Sequence, residues 1–299
     1  MDPLSDFLTL LRPTGYGFRG LDAAGDWLLW FDAAPGIRCF AIETGGCWLK
    51  PAGGPITALG AGDVVLLIGG SGASLYSSAD AEPIDAEVLM TSVPMGQFAA
   101  INGPISGGAT CRGVGGYFEL EGSQADALLG AVPPVVHVRS DASRAALLTG
   151  VRRLMRELSE PRPGSALLAN HLAQALLIEA LRAHLEDGPT GRNWLAALVH
   201  PALQRALVAM HGDVARRWTL HDLAHLAGMS RSSFAAHFER VTGETPIAYL
   251  TRWRMMLAAD RLKTAMPLAA VAASVGYESE SAFGAAFKRA TGRSPRRSS

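Results

Sequence analysis

Two stretches decide the fold: Leu220–Pro246, LHDLAHLAGMSRSSFAAHFERVTGETP, and Leu268–Pro295, LAAVAASVGYESESAFGAAFKRATGRSP. Leu220, Leu223, Ala224 and Gly228 align with Leu268, Val271, Ala272 and Gly276 at an offset of 48. After one extra turn residue, Phe234, Phe238, Arg240, Gly243 and Pro246 align with Phe283, Phe287, Arg289, Gly292 and Pro295 at 49. An ordered pattern that recurs whole is an internal duplication and outweighs any single-residue signal.

Each copy has the make-up of two short helices around a sharp turn. Ala224 and Ala272 are small where the helices must cross. Gly228 and Gly276 permit the left-handed backbone that stops one helix and redirects the chain. Ser230, and Ser279 or a neighbour, are suited to cap the next helix. That helix buries Phe234 and Phe238, or Phe283 and Phe287, four apart on one face, and leaves its other face free for a DNA groove. Gly243 and Gly292 end it. Residues 247–263 between the copies are expected as one continuous helix. It should place the two second helices in successive major-groove segments, roughly 34 Å apart.

Charge supports this reading once it is divided along the chain. The 299 residues carry no net charge, but residues 201–299 hold 14 Lys and Arg against 7 Asp and Glu, and residues 1–200 hold 13 against 20. The basic third attracts a polyanion and the acidic part repels one. No apolar run is long enough to span a membrane and the N-terminus lacks a secretion signal, so a cytoplasmic protein is expected. Cys39, Cys47 and Cys111 are odd in number without CxxC spacing, which argues against disulfides and cysteine-bound zinc.

Upstream the texture is different. Short apolar stretches at 27–31, 37–43, 47–50, 64–68, 86–90 and 117–121 alternate with turn formers such as Pro35-Gly36, Gly45-Gly46 and Gly69-Gly70, predicting an all-β sandwich or barrel. The glycines of 69–72 and 103–116 read as turns, since neither segment has a phosphate-loop ending. After Pro133-Pro134, two amphipathic helices are expected over 141–158 and 165–185, broken at Pro161-Arg162-Pro163-Gly164. The wide apolar arc of the second predicts packing on the β domain or on a second copy, hence a homodimer through the 140–186 helices. Residues 187–193 are the expected linker between a sensor part, 1–186, and a DNA-binding part, 194–299.

The second repeat, with Gly276-Tyr277-x-Ser279-x-Ser281-x-Phe283, Phe287-Lys288-Arg289 and Gly292-x-Ser294-Pro295, resembles the AraC/XylS transcription regulators. So does the linking Tyr249-Leu250-x-x-Trp253-Arg254-Met255. The likeness covers roughly 195–297. The N-terminal part is similar, more loosely, to cupin-like sensor domains through Gly46-Cys47-Trp48-Leu49, residues 62–67 and Cys111. The implied architecture is an all-β cupin-like barrel plus helical hairpin, followed by an all-α domain of two helix-turn-helix units joined by a long helix.

The resemblance places base contacts on the exposed faces of the second helices: Arg231, Ser232, Ser233, Ala235 and Ala236 in one unit, and Glu280, Ser281, Ala282, Gly284 and Ala285 in the other. Arg231 suits guanine and Glu280 a cytosine amine, whereas Ala and Gly offer little beyond a thymine methyl. Backbone contacts are then expected from Arg240, Arg252, Arg254, Lys288, Arg289, Arg293 and Arg296, with Arg240 and Arg289 equally suited to internal ion pairs.

The sequence-based expectation is a promoter-binding regulator of double-stranded DNA, an activator working with RNA polymerase, controlled at its N-terminal domain. Trp30, Phe40 and Trp48 would line a small-molecule site or serve as core aromatics. Cys47 and Cys111 match positions that, in similar regulators, would sense oxidants. The alternative is a metal-independent cupin-like enzyme fused to a DNA-binding module. No histidine precedes His137, so a His-rich metal site in the barrel is not expected; nor is a cofactor or a nucleophile-base constellation. The eight histidines are read as surface or capping residues.

Overall fold

The computed structural model describes residues 2–11, 13–102, 110–120, 129, 132–138, 140–188, 192–264 and 266–295. It divides into two compact units, Pro13–Asp187 and a second made of Met1–Arg12 with Gly188–Ser299. The first helix, α1 (Pro3–Leu11), therefore belongs with the C-terminal helices, not with the β domain it precedes. Of the expected linker, residues 189–191 lie outside the described residues.

The Pro13–Asp187 unit is a curled sheet. Its strands are β1 (Pro13–Ala24), β2 (Leu28–Phe31), β3 (Ile37–Pro51), β4 (Thr57–Gly60), β5 (Val64–Ile68), β6 (Ala73–Tyr76) and β7 (Pro83–Asp85). After helix α2 (Ala86–Thr91) come β8 (Phe98–Ile101), β9 (Thr110–Leu120) and β10 (Val135–Val138). The main path runs β7-β2-β6-β3-β9-β1-β8; β4 pairs with β3, and β5 lies between β3 and β10.

β3 takes part in both halves of the curl because it bends. Its first half pairs with β5 and β9, its second with β4 and β6. The bend falls at Gly45, whose φ is +74°; a Cβ there would lie 1.7 Å from the carbonyl oxygen of Thr110. Gly45-Gly46 thus bends one continuous strand and is not the turn between two strands that the sequence suggested. Two further expectations are corrected. Residues 86–90 form a helix, because the Asp85 carboxylate accepts from the amides of Glu87 and Val88 and caps it. Residues 110–116 are strand, paired with both β1 and β3.

The hairpin helices α3 (Asp141–Ser159) and α4 (Ser165–Glu186) match expectation. Arg144 fastens α3 to the sheet by donating to the carbonyls of Gly62 and Ala61, and Arg152 does so through Glu43 at 3.1 Å.

In the other unit, α5 (Trp194–Leu198) and α6 (Pro201–Gly212) precede the first helix-turn-helix, α7 (Leu220–Ala227) and α8 (Arg231–Thr242). α9 (Pro246–Arg261) connects it to the second, α10 (Leu268–Ser274) and α11 (Glu280–Thr291). The turn chemistry is as read from sequence. Gly228 and Gly276 have φ of +69° and +83°. Ser230 and Ser279 accept from the amides of Ser233 and Ala282. Phe234, Phe238, Phe283 and Phe287 are fully buried. Among the described residues no helix is long and apolar enough to cross a membrane.

Candidate functional site

The outward face of α8 presents Arg231, Ser232 and Ala236 to solvent, with Ala235 half-buried. Arg231 has no hydrogen bond or ion pair among the described residues, so its guanidinium is free to reach a base edge. The Ser233 hydroxyl accepts from Ser230 Oγ at 2.9 Å and keeps its own proton to donate. On α11, Glu280, Ser281, Ala282 and Ala285 are exposed and Gly284 is half-buried. A groove of about 390 Å³ runs beside them, bounded by Leu268, Lys288 and Pro295.

The expected phosphate contacts divide in two. Lys288, Arg289 and Arg293 are exposed and unpaired among the described residues. Arg252 and Arg254 are instead committed inside the protein. Arg252 holds Glu244, Nε to Oε1 at 3.2 Å. Arg254 is half-buried and donates to the carbonyls of Val214 at 2.8 Å and Arg216 at 2.7 Å, next to Gly276. Arg254 so braces α9 against the segment before α7, whereas Arg252 makes a local contact at the start of its own helix, and the donors engaged in these bonds are not available to phosphate. Arg240 meets His237 Nδ1. A guanidinium only donates, so the His237 proton sits on Nε2 and is given to His200 Nε2 at 2.8 Å. Arg296 lies outside the described residues.

One buried cluster explains why α1 belongs to this unit. Leu4, Phe7 and Leu11 are buried, with the Phe7 ring 5.0 Å from that of Trp194. Asp6 lies 3.1 Å from His211 Nδ1, while His211 Nε2 lies 2.7 Å from the Tyr249 hydroxyl and the imidazole stacks on Trp253. Burial, reinforced by Arg252, holds this imidazole neutral, down at about 3. Burial likewise pushes the Tyr249 hydroxyl above its ordinary range. His211 is therefore a core residue and not the surface or capping histidine expected.

In the β unit a cavity of about 580 Å³ opens between β1, β3 and β9 on one side and β2, β6 and α2 on the other. The period of two along each strand decides which residues face it. Gly17, Arg19 and Leu21 of β1, Arg38, Phe40 and Ile42 of β3, and Cys111, Gly113, Gly115, Tyr117 and Glu119 of β9 all line it, as do Leu29 and Phe31 of β2 with Trp27 just before it. Phe40, one of the three aromatics named for such a site, is on the wall, and so are Cys47 and Cys111. Trp30 and Trp48 are not: each stands one position from a lining residue and takes the opposite face, leaving Trp48 46% exposed. Cys47 and Cys111 are both buried on this wall and influence each other: the neighbouring Cys111 and burial push the Cys47 thiol up, and the neighbouring Cys47 lowers Cys111. Among the described residues no group of three or more His, Cys, Asp or Glu is arranged to hold a metal.

A cupin family model matches residues 2–186 and a helix-turn-helix domain model matches residues 223–298. An AraC-like transcription regulator of Streptomyces antibioticus is 39% identical over 99% of this chain and 97% of its own. The regulator AlkR of Acinetobacter baylyi is 30% identical over 99% of this chain and 98% of its own. The chain belongs to the AraC family of transcription regulators. Among solved structures, the DNA-binding domain of AdpA in complex with a target DNA is 27% identical, covering 31% of this chain and 84% of that one, with a TM-score of 0.30.

In this AraC-family regulator the strand faces follow the alternation of the sequence. Alternation from Leu29 through Phe31 puts Trp30 outside, and from Cys47 through Leu49 puts Trp48 outside. Gly113, Gly115 and Gly116 lie in β9 although glycine is depleted in strands. α1 carried a usable signal, since Leu4, Phe7, Leu8 and Leu11 recur at helical spacing.

Proposed function

We propose that this regulator is a sequence-specific transcription activator whose DNA affinity is set by a small molecule held in the barrel cavity. The observation that carries this reading is the cavity itself: inward faces that would ordinarily interlock to native density leave drug-sized space. DNA would be read by α8 and α11, with Arg231 on bases and Lys288, Arg289 and Arg293 on phosphates. The pair of recognition helices would occupy successive major-groove segments and recruit RNA polymerase beside them. The exposed Leu167 and Leu168 of α4 support self-association through the hairpin, giving a homodimer.

The test is the affinity of the full chain for DNA upstream of its own gene, titrated with and without a panel of aliphatic and aromatic compounds. At least one should shift the apparent Kd several-fold. A panel in which compounds bind yet leave DNA affinity and transcription unchanged would overturn the reading.

A second reading is favoured by Cys47 and Cys111 sharing the cavity wall. Two free thiols on one wall, one lowered by the other, are suited to sensing an oxidant that enters the cavity. A Cys47→Ser, Cys111→Ser chain that kept its full transcriptional response to oxidant would end it.

A further inference from the structure

The cavity has a mouth and a blind end, and they differ in chemistry. At the mouth, Asp32, Pro35, Glu87 and Glu119 are exposed, as is Tyr117. At the other end Leu21, Ile42, Cys47 and Cys111 are buried. β9 runs between the two, and Cys111 to Tyr117 spans roughly 20 Å at the rise of an extended strand. The space is therefore long as well as apolar.

Its floor is bare because three glycines of the inward face carry no side chain. A Cβ on Gly17 would strike the Tyr117 ring at 2.3 Å, and one on Gly113 would lie 2.8 Å from the carbonyl oxygen of Ala41. Gly115 differs: a Cβ there would meet only Phe40, at 3.8 Å, so a longer side chain would project into free space.

The charges at the mouth are unbalanced. Glu87 and Glu119 have no ion-pair partner among the described residues. Arg38, the base beside them, already feels Asp32 and Glu87 and donates to the carbonyl oxygens of Asp32 and Ser71. Arg19, further in, donates Nε to the carbonyl of Val93 at 2.8 Å. An anionic head would meet carboxylates in excess of guanidinium groups, at the edge of a low-dielectric space that strengthens the repulsion.

Resting on the reading of the cavity as an effector site, we infer that it takes an elongated, mainly apolar molecule whose polar end is neutral or cationic, an alcohol, ketone or amine and not a carboxylate. The body lies along the glycine floor towards Cys111, and the head stays at the mouth beside Tyr117 and Glu119.

Three probes of matched chain, 1-decanol, decylammonium and decanoate, test this by calorimetric titration of the full chain below their aggregation concentrations. Decanol and decylammonium should each bind at least tenfold more tightly than decanoate. Gly115→Leu and Met90→Trp, which fill the cavity from opposite walls, should each weaken decanol at least tenfold. Decanoate binding as tightly as either other probe would overturn the inference while leaving the effector reading intact. Retention of decanol affinity by both filled variants would overturn it too. Should a variant fail to fold, the charge series on the natural chain still decides. Binding of none of the three would remove the cavity reading itself, and this inference with it.

Discussion

His211 Nδ1 lies 3.1 Å from a carboxylate oxygen of Asp6, joining residues 205 positions apart. The pair ties the start of the chain into the core of the DNA-binding unit, and His211 passes the link on to Tyr249 of α9. Because the imidazole is buried and neutral, it makes the unit sensitive to acid. Its folded value of about 3 stands below the ordinary 6.5, so between those limits the unfolded chain binds a proton that the folded chain does not. Stability then falls as pH drops below about 6.5. Burial raises Asp6, which acts in the opposite sense near its own range. The Tm of the full chain should be lower at pH 5 than at pH 7, and His211→Gln, which can keep both hydrogen bonds, should reduce the slope. An equal slope in the variant would show that other groups govern acid sensitivity.

Phe7→Ala should destabilise the DNA-binding unit by about 3 kcal/mol, the usual loss for a buried phenylalanine. Phe7 is 2% exposed and packs on Trp194. Urea unfolding followed by tryptophan fluorescence would measure it. A change below about 0.5 kcal/mol would mean that α1 contributes little to this core.

The duplicated segment was legible because its constraints are local: a left-handed glycine, a serine cap and two phenylalanines four apart each specify their own surroundings. The α1 docking was less so, because its partners, Trp194 and His211, are remote in sequence and only the packed fold brings them together. The same holds for Arg254. Its charge suggested phosphate, but the carbonyls of Val214 and Arg216 that take its donors are positioned by a turn some 40 residues earlier. In the β unit the strands were visible, yet the wall of the cavity depended on a register in which one position exchanges inside for outside.

Gly276→Ala and Gly292→Ala form a matched pair of substitutions. Both glycines have positive φ, which costs a side chain roughly 1–2 kcal/mol. A Cβ on Gly292 would meet nothing within 4 Å, whereas one on Gly276 would lie 2.4 Å from the backbone oxygen of Ala215. Gly292→Ala should therefore show only the conformational cost. Gly276→Ala should lose several degrees more in Tm and weaken DNA binding, because the second turn cannot close against Ala215 and Arg254. Equal effects would mean that the close approach relaxes freely.

The two repeats should differ in what they contribute to DNA binding. Arg231 is free on the first recognition helix and can form a bidentate contact with guanine, so Arg231→Ala should cost about 1–3 kcal/mol on the cognate site and relax preference at one base pair. Lys288 lies exposed on the second helix among small residues that offer few base contacts. Lys288→Ala should weaken cognate and scrambled DNA alike and lower the salt slope by about 1. Binding isotherms on both DNAs over a range of salt separate these effects. If Arg231→Ala reduced affinity equally on cognate and scrambled DNA, Arg231 would belong with the phosphate contacts, and specificity would have to come from the shape of the DNA.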